Sequence, residues 1–437
     1  MPSGQPGSSP HNSVRVKRTR LACPAGDFYS TNEAVTIKIQ FSLELPMKNE
    51  PVAGVQPSVI RWARESMGMS IEDVAHKLKR SSEEVIAWES EDGIPPTYSQ
   101  LENLAYKVFK RPLAVFFLPA PPDEISPARE FRTLPDADLQ NLQADTHMQV
   151  RKAHAYQITL NEVFEGRNPS GRDIAQEIPL DMRDSVEVQA RAVRKALDIS
   201  LDDQSRWRSD ELALKRWREA VERLGIFVFK APFKQKDISG FCLLDVNFSL
   251  IYLNNSASKT RQTFSLLHEL AHLLLNVNGI SKFEPSYVSK LPTAERRIEQ
   301  FCNMLAAEIL IPSDDFARQI AGFPQNPELA QDHLYANLAS RYGISREAVL
   351  RRFLDQERVS QAFYEQKAKL WSSQKKAASG GDWYASQNTY LSDTLARKVI
   401  GRHYRNQISV EQASEFLGIK AKNFAGLEQR ILQGAAA

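Results

Sequence analysis

Cysteine is scarce in this chain: Cys23, Cys242 and Cys302 are the three among 437 residues. An odd number at such wide spacing gives no disulfide framework, and a reduced, intracellular setting fits it best. Long apolar runs are missing as well. The longest, around Leu113–Pro119, falls far short of the roughly 20 residues a membrane helix needs. Arg15, Lys17, Arg18 and Arg20 stand near the N-terminus with no apolar segment behind them, so no signal peptide is expected. Neither sign of charge dominates. The formal net charge of +3 is too mild to mark a nucleic-acid binder by composition, and does not exclude one. No internal repeat points to a solenoid. These absences leave a cytoplasmic protein with no membrane contact as the expectation. What remains is ordinary globular composition, 42% hydrophobic and 25% charged, at a length that admits two to four domains.

Residues 1–50 differ from the rest. Gly, Pro, Ser and Asn dominate the first fourteen positions, and only Thr36–Leu45 alternates as a strand would. We expect a disordered or mis-annotated extension, with Met47 as the natural start. Residues 51–135 are expected to form a helix-turn-helix domain. A helix over Ser58–Ser66 is followed by Ser70, which caps Ile71–Leu78 with Asp73 at the third helical position. A tight turn at Lys79–Arg80 leads to Ser81, the cap of Ser82–Glu89. Pro95 and Pro96 break the chain before a helix at Ser99–Phe109, an apolar plug at Arg111–Pro119 and a Pro-rich exit over residues 119–127.

Residues 136–204 read as a helical connector, with helices at Met148–Glu165 and Ser185–Leu197. Residues 205–356 read as a mixed domain. It has a helix over 205–223, a strand at Ile226–Phe229, and a hairpin of Gly240–Asp245 with Ser249–Leu253. Two further helices follow, and then a second helix-turn-helix-like pair at 330–354. Residues 357–437 hold a polar linker with Gly380 and Gly381 and a small helical C-terminal domain. The predicted class is mainly α with a small β-sheet, α+β.

Chemistry concentrates in Thr263–Asn276, an apolar stretch holding His268, Glu269 and His272. Residues four apart share one helix face, so both imidazoles point the same way and can grip one zinc ion. Glu269, one step round, is placed to act as general base on water at that ion. A helix this apolar is expected to be buried, and burying these three groups is costly unless something offsets it. A divalent cation offsets all three; neighbouring carbonyls capping structural histidines are the plainer alternative. Catalytic zinc takes three protein ligands. Glu299, on the helix near Glu295–Leu310, is the chosen third. Glu295, one turn earlier, is its rival, and Glu284 and Glu308 are more distant choices. Asn303 shares a face with Glu299 and is positioned to orient a ligand. Tyr287 and His333 are candidate oxyanion donors on chemistry alone.

Thr263–Leu275 together with Glu299–Pro312 resembles the ImmA/IrrE family of zinc metallo-endopeptidases. In that family the H-E-x-x-H helix is followed by a segment of the form E-x-x-A-N-x-F-A-A-x-L-L-M-P. Here Cys302, Leu305 and Ile311 depart from it, and none is a proposed ligand. The resemblance covers roughly residues 205–356. It implies a zincin-like metalloprotease fold, Zn2+ as cofactor and Glu299 as third ligand. Residues 58–119 resemble the XRE, Cro/repressor-like, helix-turn-helix family through Ala75 and Trp88-Glu89, although Lys79 stands where that family often has Gly.

The family resemblance implies a regulator that cleaves a helix-turn-helix repressor or antitoxin and so switches gene expression. The alternative is a DNA-binding regulator, or a toxin–antitoxin component, whose zinc site is structural or sensory. DNA contact would run through residues 58–110, with Arg61, Arg64, Lys77, Lys79 and Arg80 as candidate contacts. The acidic start of Ser82–Glu89 opposes it, because carboxylates repel phosphates. Arg341, Arg346, Arg351 and Arg352 on the second helical pair read as a solvated face.

Overall fold

Helix starts in the N-terminal part follow their caps. In the computed structural model, which describes residues 50–124, 130–131, 133–172, 174–207, 209–283, 285–373 and 390–435, α1 spans Pro57–Glu65 and α2 Ile71–Leu78. Ser70 accepts from the Asp73 amide, and the Asp73 carboxylate accepts from the Ser70 amide, a reciprocal capping box. Lys79 closes α2 in the left-handed region at φ 56°. Ser81 then caps α3, Ser82–Trp88. α4, Tyr98–Glu102, continues into a π-helical turn at Asn103–Val108, and Leu113–Phe117 adds a 3-10 turn. Val59, Ile60, Val74, Val85, Leu101 and Phe116 share one core in this unit. The extension, with Met47, Thr36–Leu45 and Cys23, lies outside the described residues, as do Glu284 and the Gly380-Gly381 linker.

A four-stranded sheet packs against the H-E-x-x-H helix. β1 is Phe227–Ala231, β2 Ile238–Leu243, β3 Leu250–Asn254 and β4 Gly279–Lys282, in the spatial order β1-β3-β2-β4. β2 and β3 form the expected antiparallel hairpin. β1 runs parallel to β3, and β4 lies antiparallel beside β2. Strand side chains alternate between faces, and here both faces are covered. Val228, Cys242, Ile251 and Leu253 enter the core of the H-E-x-x-H helix, while Phe227, Phe229, Phe241, Tyr252 and Ile280 enter a second, aromatic core.

That second core is built by α5, Ala144–Val163, and by α6, Asp393–Tyr404, with the helices after it. Tyr156 of α5 stacks on Phe229 with ring centroids 4.1 Å apart. Residues read from sequence as a connector and as a C-terminal domain therefore share one apolar core with the sheet. No helix among the described residues is long and apolar enough to cross a membrane.

α5 also carries His154, whose Nε2 lies 3.1 Å from a Glu130 carboxylate oxygen. The Glu130 hydrogen bond, partly opposed by burial, raises the imidazole above its usual value of 6.5. A raised folded-state value means the pair stabilises the protein below the unfolded value and loses its effect as pH climbs through the folded one. His154→Gln should therefore lower the melting temperature between about pH 5 and 6.5 and leave it unchanged near pH 9. A pH-independent loss in thermal scans would contradict this pairing.

Candidate metal centre

The H-E-x-x-H segment lies in α7, Lys259–Leu274, which Ser258 caps by accepting from the Arg261 amide. Its apolar residues Leu266, Leu267, Leu270, Leu273 and Leu274 fix its inward faces. α8, Thr293–Leu310, packs against it through Cys302, Leu305, Ala306 and Ile309. Ala306, fully buried and small, permits a close approach between the two helices.

That approach brings three ligand atoms together. His268 Nε2 and His272 Nε2 lie 3.1 Å apart. Glu299 Oε1 is 3.1 Å from His272 Nε2, and its Oε2 is 3.4 Å from His268 Nε2. Ligand atoms around a four-coordinate ion such as zinc stand about 3.3 Å from one another, so the triangle is of a size that admits such an ion. The three residues are 3%, 0% and 0% exposed. Burial alone would raise the Glu299 carboxyl, but the charge of His272 and hydrogen bonds to both imidazoles hold it well below the usual carboxylate range. Burial would lower His268, and the Glu299 hydrogen bond and charge outweigh it and raise it. Tyr287 donates to Glu299 Oε2 at 2.7 Å.

Glu269 is 0% exposed, and neither of its carboxylate oxygens has a hydrogen-bond partner among the described residues. A buried, unpartnered carboxylate is costly. Two imidazoles and a carboxylate in a closed triangle, with a second carboxylate beside them, are the donor set of a divalent cation, and the residues fit one.

Residues 221–354 match the IrrE N-terminal-like domain, Peptidase_M78. All four of these residues fall inside that match. The radiation response metalloprotease IrrE of Deinococcus radiodurans is 30% identical over 118 residues, 26% of this chain and 34% of that protein. The alignment thus spans about a third of that relative. The IrrE-like domain is a metallopeptidase domain, which implies a metal ion, and His268, His272 and Glu299 are a group that could hold one.

Other predicted residues fall elsewhere. Glu308 binds the Ser313 amide and hydroxyl and pairs with Arg352, a structural role. Glu295 is half-buried one turn before Glu299 and is outside the ligand cluster, and His333 is exposed. Asn303 stands beside His268 and helps raise its pKa. Tyr287 reaches the site as a donor to Glu299. Arg64 is tied by two bonds of 2.7 and 2.8 Å to Glu89, and Arg61 donates to the Glu89 carbonyl. Lys77 and Lys79 are exposed, and Arg80 pairs with Glu84 at 3.7 Å.

Gly279 and Cys242 escaped the reading of the sequence. They pair across β4 and β2, and the Gly279 amide donates to Cys242 Sγ at 3.2 Å. Burial, and then the charge of Glu269, push the Cys242 thiol well up. A Cβ at position 279 would stand 2.7 Å from the His272 ring and 3.1 Å from Glu269 Oε2. Glycine is thus demanded by packing against the site. Gly279→Ala is expected to cost about 1–3 kcal/mol of stability and about tenfold or more in metal affinity. Thermal unfolding and metal titration would check both; wild-type values would contradict this contact.

Proposed function

We propose that this chain is a zinc-dependent endopeptidase that cleaves a regulatory protein, a helix-turn-helix repressor or an antitoxin, and thereby switches gene expression. The observation that carries the reading is Glu269. A metal site that only held the fold would need His268, His272 and Glu299, and would have no use for a second buried carboxylate with both oxygens unpartnered.

Bound to the three ligands, zinc would supply Lewis-acid activation of water and of a peptide carbonyl. The chain's own residues do the rest. Glu269 takes the proton from the attacking water at its carboxylate and returns it to the leaving amine. Tyr287, by donating to Oε2, holds the Glu299 carboxylate in orientation. Asn303 steadies the His268 ring. The apolar walls of α7 and α8 keep bulk water from these groups, which strengthens each electrostatic contact.

The N-terminal helical unit would serve as the docking element for the partner, with DNA as a further partner through Lys77, Lys79 and Arg80. The IrrE match supports regulation by proteolysis as the setting. The test is incubation of the zinc-loaded protein with purified helix-turn-helix repressors and antitoxins of its own organism, followed by mass spectrometry. A single new N-terminus is expected. A partner left intact would overturn the assignment of substrate.

A further inference from the structure

β4 is an edge strand of the sheet and reaches the candidate metal centre. Its first residue, Gly279, touches His272 and Glu269. The next residue, Ile280, turns both main-chain groups away from β2, where an extended peptide would pair with them. Thr133 takes them instead. Its hydroxyl accepts from the Ile280 amide at 2.9 Å and donates to the Ile280 carbonyl at 3.1 Å. Thr133 is 1% exposed, and Phe131 beside it is fully buried against Phe241 with ring centroids 5.9 Å apart. Polar clamps flank the contact: Glu130 meets His154, and Lys282 of β4 meets Asp138 at 3.0 Å.

We propose that residues 130–131 and 133–134 form a strap seated where the backbone of an extended peptide substrate docks, so that β4's outer edge becomes available only when the strap leaves. The proposal rests on the peptidase reading for the identity of the competing strand. Unpaired strand edges capture extended peptides through main-chain hydrogen bonds, with side-chain pockets adding selectivity. The strap satisfies Ile280 through one hydroxyl oxygen, whereas a substrate strand offers an amide and a carbonyl for the same two groups. The exchange therefore leaves no backbone group unpaired. In sequence, residues 130–134 follow the N-terminal helical unit, which Arg151 of α5 holds through the carbonyls of Phe109 and Lys110 at 3.2 Å.

The test uses the full chain carrying Glu269→Gln, with carboxymethylated casein as an unfolded polypeptide probe. Thr133→Val removes both bonds to Ile280, and Thr133→Ser keeps the hydroxyl. Thr133→Val should bind casein about tenfold more tightly and speed hydrogen exchange at the Ile280 amide. Thr133→Ser should match the parent in both. Faster exchange without tighter binding would overturn the proposal, as would unchanged exchange. Cleavage is read separately with Glu269 intact. Tighter binding with no cleavage by any variant would uphold the strap and remove the peptidase reading. Cleavage by the wild type that Thr133→Val leaves unchanged would do the reverse.

Discussion

Glu269→Gln is expected to keep a full complement of zinc and to lose cleavage by about 10²–10⁴-fold, the contribution of a positioned general base. The amide has the shape of the carboxylate but accepts no proton, so the variant separates chemistry from folding. Retention of metal follows from the geometry. The ligand triangle is formed by His268, His272 and Glu299, while the Glu269 oxygens are bonded to nothing among the described residues. Removing its charge also removes a buried, unpartnered carboxylate, so stability should hold or rise. Metal content per chain and a single-substrate cleavage assay check the two halves. Unchanged cleavage would show that Glu269 is not the base; lost metal would show that it is a ligand.

Glu299→Ala is expected to have the largest effect on the metal. It removes one corner of the triangle and leaves the Tyr287 hydroxyl, 2.7 Å from Glu299 Oε2, facing an empty space. The affinity should fall by more than about a hundredfold, beyond the usual cost of losing a residue that merely orients a ligand. Stability should follow. An ion that binds only the folded state, at a thousand times its dissociation constant, stabilises by about 4 kcal/mol. Wild type should therefore melt higher with zinc and lower after chelation, and Glu299→Ala should show at most about a third of that difference. The unloaded wild type keeps a weaker substitute in its ion pairs, since Glu299 is held low and His268 high. Glu295→Ala is the control and should bind zinc as wild type does. Loss of zinc in that variant, with Glu299→Ala unaffected, would move the third ligand back one turn.

Local patterns were readable where a residue and its neighbours decide the outcome. Ser70 with Asp73, and Ser81 before α3, mark helix starts through bonds made within four residues. His268 and His272 share a face because a helix repeats every 3.6 residues. The periodic apolar residues around Glu299 identified the second helix. What escaped depends on contacts far apart in sequence. β4 is four residues long and holds its place by pairing with β2, some 40 residues earlier. Gly279 is needed only because His272 and Glu269 lie beneath it. Arg64 reads as a free cation until α1 is packed against the end of α3, where Glu89 claims it. Thr133 looks like any polar residue of a connector, and its partner Ile280 stands 147 positions away.

The most direct measurement is anomalous diffraction at the zinc edge from crystals of the zinc-loaded protein. One strong peak is expected, enclosed by His268 Nε2, His272 Nε2 and the Glu299 carboxylate, at about 2.0–2.2 Å from each, with Glu269 next to it and outside the ligand set. A peak ligated by Glu269, or zinc-saturated crystals with no peak between these three residues, would contradict that arrangement.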